Sequence, residues 1–266
     1  MHIDELLEAA VLTADSQTTM TLPEDWTQGR TVFGGLSAAL LYVVIKNQVA
    51  AERPLRSLST NFVGPLLTDT SFSFEVELLR EGKSASQLSA RIVQQGQVAV
   101  IQQACFGAER GSDITVKQTD DHQLSSPKIE QQLPFIPDVT PKFIQHIDLA
   151  IVDGAMPYTG ALQSSLDGWM RFRNPPNRIT DAHLICLIDA WPPAVLQMMK
   201  QLAPASTMAW NLEFIHPHQP IAPDDWFAYK AYTRQAANGY AHLEANIWDS
   251  AGELVAISRQ CVTVFC

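Results

Sequence analysis

The sequence predicts an α+β fold made of two copies of one unit, in which a buried helix is followed by an antiparallel sheet. Two stretches, Val32–Lys46 and Asp181–Leu202, are apolar on nearly every side, as expected of buried helices. Strand-like segments separated by turn residues follow each of them, without crossover helices, which favours antiparallel pairing. Two short matches relate the copies: NFVGP at 61–65 resembles EFIHP at 213–217, and QGQVAVI at 95–101 resembles AGELVAI at 251–257.

The first copy begins with an amphipathic helix, since apolar residues recur at helical spacing from Ile3 to Val11. A loop around Gln28 and Arg30 leads into the first buried helix, which is opened by Gly34 and Gly35. Four segments rich in β-branched and aromatic residues then predict strands at 57–63, 71–80, 84–95 and 98–106.

The central part of the chain, residues 108–160, is polar and rich in proline, and we interpret it as a linker with one strand around 143–152. A further strand is expected around Trp169. The second apolar stretch contains Pro192 and Pro193, which should kink or restart the helix. Strands are then predicted at 208–215, 226–234, 240–249 and 254–265. The predicted division is residues 1–107, a linker at 108–160, and residues 161–266.

Composition excludes several classes of function. Charged residues make up 17 % of the chain, below the typical value of about 25 %, which favours a large core or an oligomer interface. The net charge of -10 argues against a nucleic-acid-binding protein. The longest apolar run, Leu36–Ile45, is shorter than the roughly 20 residues of a membrane span. Acidic residues near the start do not fit a signal peptide, and we therefore expect a cytoplasmic protein.

Metal and disulfide chemistry are not indicated by the cysteines. The four cysteines, Cys105, Cys186, Cys261 and Cys266, form no CxxC pair, and we predict buried reduced thiols.

His216 and His218 flank a proline after a predicted strand. Because HxH spacing alone is weak evidence for a metal site, we predict a loop there and no metal. Neither a GxSxG nor a nucleotide-binding glycine motif is present in the sequence.

Asp189 is the most conspicuous polar residue, because it lies in an apolar stretch directly before two prolines. A buried carboxylate costs several kcal/mol unless it is paired, so Asp189 is either a capping or ion-paired residue or a functional one. Thr207 and Gln260 either satisfy backbone groups or orient a water molecule beside Asp189. Gly34 and Gly35 serve either close helix packing or an oxyanion at the start of a helix.

The segment GRTVFGG at 29–35, the apolar helix after it and NFVGP together resemble the hotdog-fold thioesterases. The two-copy arrangement resembles the double-hotdog acyl-CoA thioesterases of the thioesterase II type. The second copy carries the more specific matches, which are IDAWPPAVL at 188–196, STMAWNLEF at 206–214 and AISRQC at 256–261.

The resemblance implies two antiparallel sheets, each wrapped on a central helix, and hydrolysis of acyl-CoA without a cofactor. It assigns the positioning of the hydrolytic water to Asp189, Thr207 and Gln260, and it implies a dimer of double hotdogs. Met208 and Ala209 depart from the family pattern, which prefers a polar or acidic residue there. That departure concerns chain-length preference and rate more than the class of reaction.

Two alternatives stay open at this point. A hotdog hydratase or dehydratase needs a histidine paired with a carboxylate, whereas His183 precedes Asp189 by six positions, on a different face of the helix. A non-catalytic acyl-CoA-binding protein would keep only the fold.

An ungapped comparison of the copies from the helix to the following strand, at an offset of 152, places Ser37 and Leu55 opposite Asp189 and Thr207. At the later offset of 156, Ala104 stands opposite Gln260. We therefore expect one active site per chain, formed by the second copy. The first copy should supply Gly34, Gly35 and part of the acyl groove.

Overall fold

The computed structural model describes residues 1–118 and 120–265. Its α-helices are α1 (Ile3–Asp15), α2 (Gly34–Lys46) and α3 (Asp181–Ile188), and 3-10 turns occur at 24–26, 129–131, 142–146 and 194–198. The strands of the first half are β1 (Thr27–Gln28), β2 (Thr31–Val32), β3 (Leu55–Phe62), β4 (Phe72–Glu81), β5 (Ala85–Gln94) and β6 (Gln97–Gly107). Those of the second half are β7 (Ile147–Asp153), β8 (Ser165–Phe172), β9 (Ala205–Phe214), β10 (Phe227–Ala237), β11 (Tyr240–Trp248) and β12 (Leu254–Val264).

Strands β3 to β12 form one continuous antiparallel sheet in the order β4-β5-β6-β3-β9-β12-β11-β10-β8-β7. The two predicted sheets are therefore joined edge to edge through β3 and β9, which removes two free edges. Ser59 of β3 pairs with Asn211 of β9, its own counterpart at the offset of 152. The pseudo-twofold axis that relates the halves thus passes through this pair.

The two central helices pack against each other in antiparallel directions. The start of α2 at Gly34 lies against Asp189, which directly follows α3. At the opposite end, the Tyr42 hydroxyl of α2 donates a hydrogen bond to Asp181, the first residue of α3. Both helices are buried over nearly their whole length, as their all-round apolar sequences predict.

The second helical stretch is shorter than the predicted range of 181–202. Helix α3 ends at Ile188, and the chain passes through Pro192 and Pro193 before a 3-10 turn at 194–198. This confirms the predicted interruption at the prolines, which cannot donate the hydrogen bonds that would continue the helix.

The ungapped comparison of the copies is wrong in the helices. Asp189 stands eight positions after the start of α3, and Tyr42 stands eight positions after the start of α2. Ser37 lies in the first turn of α2 and is therefore not the counterpart of Asp189. The helices correspond at an offset of 147 and the following strands at 152, because the proline-containing segment adds five residues.

The segment predicted as a linker contributes to the sheet, because β7 forms its outer edge beside β8. The chain before β7 runs along the second half and covers two tryptophans. The Trp169 indole donates to the Ser125 carbonyl at 2.8 Å, and the Trp248 indole donates to the Asp120 carbonyl at 3.3 Å.

The cysteine expectation is only partly correct. Cys105, Cys186 and Cys261 are free thiols, but only Cys186 is fully buried, because the other two lie in strands with partly exposed faces. Cys266 lies outside the described residues. No helix within the described ranges is long and apolar enough to cross a membrane.

We expect Gly168→Ala to destabilise the protein. A Cβ atom at Gly168 in β8 would overlap the Ala150 carbonyl oxygen and lie 2.6 Å from Cη2 of Trp191. Overpacking of this kind costs about 1–3 kcal/mol, which urea unfolding would measure. Gly111→Ala is the matched control, because a Cβ atom there has no neighbour within 4 Å. Equal stability of both variants would contradict this account of the packing.

Candidate active site

A cavity of about 590 Å³ lies where the two halves meet. Four of the five residues singled out from the sequence line it, namely Gly34, Asp189, Thr207 and Gln260. Apolar walls come from both halves, and the lining there includes Val32, Phe62, Leu66 and Val100 from the first and Tyr158, Trp191 and Leu196 from the second. Both halves therefore build one site.

Two glycines allow the start of α2 to approach Asp189 closely. A Cβ atom at Gly34 would lie 2.8 Å from Oδ2 of Asp189. A Cβ atom at Gly35 would lie 2.7 Å from the Cys186 carbonyl oxygen and 2.9 Å from Cβ of Asp189. The close-packing interpretation of this glycine pair is thus supported directly.

The Asp189 carboxylate is held by two donors. Nε2 of Gln260 donates to Oδ1 at 3.0 Å, and the backbone N–H of Gly35 forms a second hydrogen bond to the carboxylate. Burial raises the pKa of Asp189 from 3.8 to about 7, while the hydrogen bonds from Gly35 and Gln260 act in the opposite direction. A carboxyl group with this pKa exchanges a proton near neutral pH.

A β-bulge turns Thr207 into the cavity. Thr207 pairs with Val262 and Ala209 pairs with Cys261, so that Met208 is an extra residue in β9. The extra residue reverses the alternation of side chains, and Thr207 therefore lies on the same face of the sheet as Trp210, which pairs with Gln260. Met208 itself is 47 % exposed.

The same bulge is present in the first half. Leu55 pairs with Phe106 and Ser57 pairs with Cys105, which leaves Arg56 as the extra residue. At the offset of 152, Arg56 corresponds to Met208 and Leu55 to Thr207. The structure therefore supports the predicted correspondence of Leu55 with Thr207, although not that of Ser37 with Asp189.

Gly35 is not among the residues that line the cavity, whereas its neighbour Gly34 is. Tyr158 and Trp191 are among the lining residues that did not emerge from the sequence. Tyr158 comes from the predicted linker, whose polar composition gives no sign of a cavity wall. Trp191 follows Asp189 by two positions, and the break in the helix at the prolines could have indicated its place.

Other nucleophiles and bases are poorly placed. None of the described residues that line the cavity is a histidine. His183 is engaged elsewhere, because its Nε2 lies 3.0 Å from Oδ1 of Asp4 and its Nδ1 lies 2.8 Å from the Thr180 hydroxyl. Cys186 is fully buried, and burial raises the pKa of its thiol well above the usual value, which disfavours a reactive thiolate.

Comparison with family models decides the relationship of the chain. Residues 22–107 match the acyl-CoA thioesterase N-terminal domain, and residues 122–264 match the acyl-CoA thioesterase C-terminal domain. The chain belongs to the acyl-CoA thioesterase family. A search of curated proteins gives no match.

Solved structures confirm the double-hotdog fold of this acyl-CoA thioesterase family member. A hotdog-fold protein of unknown function from Alicyclobacillus acidocaldarius is 19 % identical, with a TM-score of 0.79 over 93 % of this chain and 92 % of that one. The acyl-CoA thioesterase II TesB2 from Mycobacterium marinum is 20 % identical, with a TM-score of 0.71 over 100 % and 97 % of the two chains. The tesB protein of Mycobacterium avium subs paratuberculosis is 15 % identical, with a TM-score of 0.71 over 98 % and 99 %.

We expect Asp189→Asn to stabilise the fold at high pH. The raised pKa means that an ionised Asp189 opposes folding, and the loss of stability develops as pH rises from about 4 to about 7. At about 1.4 kcal/mol per pKa unit, the shift from 3.8 to about 7 corresponds to a cost on the order of 4 kcal/mol.

Urea unfolding at pH 5 and pH 8 measures this effect. The free energy of unfolding of Asp189→Asn should exceed that of the unchanged protein by more at pH 8 than at pH 5. A difference in the free energy of unfolding that does not change with pH would show that Asp189 ionises as readily in the folded chain as in the unfolded one.

Proposed function

We propose that this protein hydrolyses acyl-CoA thioesters to the free acid and CoA, with Asp189 as the general base for water. The observation that carries the proposal is the Asp189 carboxyl in the cavity, held by Gln260 and Gly35, with a pKa of about 7. A base with this pKa is ionised in a large fraction of molecules at neutral pH and still accepts a proton readily.

The proposed reaction begins with a water molecule held by Asp189, Thr207 and Gln260. Its oxygen attacks the thioester carbonyl carbon while Asp189 takes a proton from it. The C–S bond then breaks, and CoA leaves as the thiolate, which can recover the proton from Asp189. Because thiolate is a good leaving group, this sequence needs no metal ion.

We assign the oxyanion interaction to the backbone N–H of Gly34. The N–H of Gly35 already binds Asp189, whereas Gly34 lines the cavity at the start of α2. The positive end of the helix dipole favours negative charge at this place. Of the two glycines considered for an oxyanion site from the sequence, Gly34 lines the cavity and Gly35 does not, which supports Gly34 in this role.

The acyl chain is expected among the apolar walls of the cavity, between Phe62 and Val100 on one side and Trp191 on the other. Arg30 is the only Lys or Arg among the described lining residues, and we propose that it meets a CoA phosphate. The predicted cytoplasmic location and the predicted assembly of two chains stay predictions.

The alternatives are less well supported by the residues of the cavity. Hotdog hydratase chemistry needs a histidine beside a carboxylate, and the described lining contains no histidine. A binding protein without activity has no need of a carboxyl group whose burial raises its pKa to about 7. Incubation with acyl-CoAs and a thiol reagent separates the three: released thiol indicates hydrolysis, altered acyl chains without thiol indicate hydration, and neither indicates binding.

Asp189→Asn should lower the rate of thiol release by about 10²–10⁴-fold, the usual value of general-base catalysis. In the unchanged protein, kcat/KM should fall as pH drops below about 7, because protonation removes the base. The fold of the variant is checked by circular dichroism. Retention of more than about a tenth of the turnover in a folded variant would mean that Asp189 is not the base.

Gln260→Ala should lower turnover and also move the acidic limb of the pH profile to higher pH. The reason is that the Gln260 amide lowers the pKa of Asp189, so that its loss raises this pKa further. Thr207→Ala is the matched comparison, because Thr207 is not among the groups that change the pKa of Asp189. The acidic limb of the pH profile of Thr207→Ala should therefore stay in place. Acidic limbs that lie at the same pH in both variants would contradict the role given to Gln260.

A further inference from the structure

A second cluster of polar side chains occupies the position related to the candidate active site by the pseudo-twofold axis. Tyr42 is the counterpart of Asp189, and Asp181 is the counterpart of Gly34. The segment His216-Pro217-His218 corresponds to Gly64-Pro65-Leu66, which lines the cavity in the other half. The same architecture thus places a different set of side chains here.

The three polar groups of this cluster converge. The Tyr42 hydroxyl donates to Oδ2 of Asp181 at 3.0 Å, and Nε2 of His216 lies 3.3 Å from the same oxygen. One ligand atom from each of Asp181, His216 and His218 lies within 4.8 Å of the other two. The side chains of Asp181 and His216 are only 12 % and 13 % exposed.

Two buried nitrogen atoms in the cluster have no hydrogen-bond partner. They are Nε2 of His216 and Nε2 of His218. A ring nitrogen without a hydrogen-bond partner is free to bind a metal ion, for which the imidazole nitrogen is the commonest protein ligand.

Asp181 supplies the negative charge of the cluster, and the nearby Arg56 donates to the His216 carbonyl at 3.4 Å, not to this carboxylate. Within the described residues, Asp181 has no lysine or arginine within 4.0 Å. The Lys46 ammonium interacts electrostatically with Asp181, but it donates its hydrogen bonds to the carbonyls of Ala50 and Arg53, at 3.2 and 2.8 Å. A largely buried carboxylate without a lysine or arginine partner is costly, and a divalent ion would compensate it.

We propose that Asp181, His216 and His218 form a binding site for a divalent transition metal ion of the zinc class. Two nitrogens and one carboxylate oxygen form a ligand set typical of Zn²⁺ with a water molecule as the fourth ligand. The 3.3 Å between Nε2 of His216 and Oδ2 of Asp181 fits two tetrahedral ligands, each about 2.0–2.1 Å from the ion. The two imidazoles are stacked with centroids 4.1 Å apart, so one ring must turn for both nitrogens to point at the ion.

The ion would connect the start of α3 with the chain that follows β9, and the Tyr42 hydroxyl would orient the Asp181 carboxylate from α2. This role is structural and separate from the proposed hydrolysis, because the cluster lies at the opposite end of the helix pair from Asp189. The site therefore stands or fails independently of the proposed enzyme activity.

The test is titration of the full-length, chelator-treated protein with Co²⁺ and Zn²⁺ alone, followed by calorimetry and by the visible absorption of Co²⁺. We expect one equivalent per chain, a higher melting temperature with metal, and the same binding in Asp189→Asn. His216→Ala and His218→Ala should each weaken binding at least tenfold, and Tyr42→Phe by about 10–100-fold. His242→Ala is the matched control, since this exposed histidine lies on β11, and it should bind as the unchanged protein does.

Absence of saturable binding up to about 1 mM Co²⁺ would overturn the proposal. Binding that is undiminished in both His216→Ala and His218→Ala would overturn it as well. If a histidine variant does not fold, Asp181→Asn decides, because it keeps the size of the side chain and an oxygen that can accept from Tyr42 while removing the charge. Binding by Asp181→Asn equal to that of the unchanged protein would likewise contradict the site.

Discussion

The contact between the Asp189 carboxyl and the start of α2 is the constraint on which the candidate site depends. The approach is possible only because Gly34 and Gly35 have no side chains, since a Cβ atom at either would lie within 3 Å of Asp189. It also requires the two central helices to run antiparallel, so that the end of α3 meets the beginning of α2. The cavity beside Asp189 therefore arises from the joining of the two halves, and neither half contains it alone.

The same contact sets the chemistry of Asp189 through opposing effects. Removal from water raises the pKa of the carboxyl group, and the Gly35 N–H and the Gln260 amide each restore part of the stabilisation of the anion. Their balance leaves the pKa at about 7. Without the donors the group would stay protonated at neutral pH, and in open solvent it would be too weak a base.

Periodicity and turn residues predicted α1, α2, the ten strands of the large sheet and the repeat, because these follow from local patterns of burial, but not the end of α3 or the short strands β1 and β2. Two features of the candidate site also escaped them. The bulge at Met208 depends on the pairing of β9 with β12, and it places Thr207 on the inner face although the predicted strand began one residue later. The correspondence of the helices follows from where α2 and α3 begin, and it makes Tyr42, not the expected Ser37, the counterpart of Asp189. The bulge is set by the pairing of strands distant in the sequence, and the helix correspondence was hidden by the five residues that the proline-containing segment adds.

The pseudo-twofold axis produces two similar junctions, each with the start of one central helix beside the end of the other. Each junction places an aspartate where the helix dipole favours an anion: Asp189 faces the start of α2, and Asp181 is the first residue of α3. The difference lies in the partners. Asp189 meets two glycines and an amide beside a cavity, which suits the transfer of a proton, whereas Asp181 meets a tyrosine and a histidine with an unpartnered nitrogen. Side chains that differ at equivalent positions thus give the two junctions different polar surroundings on one duplicated framework.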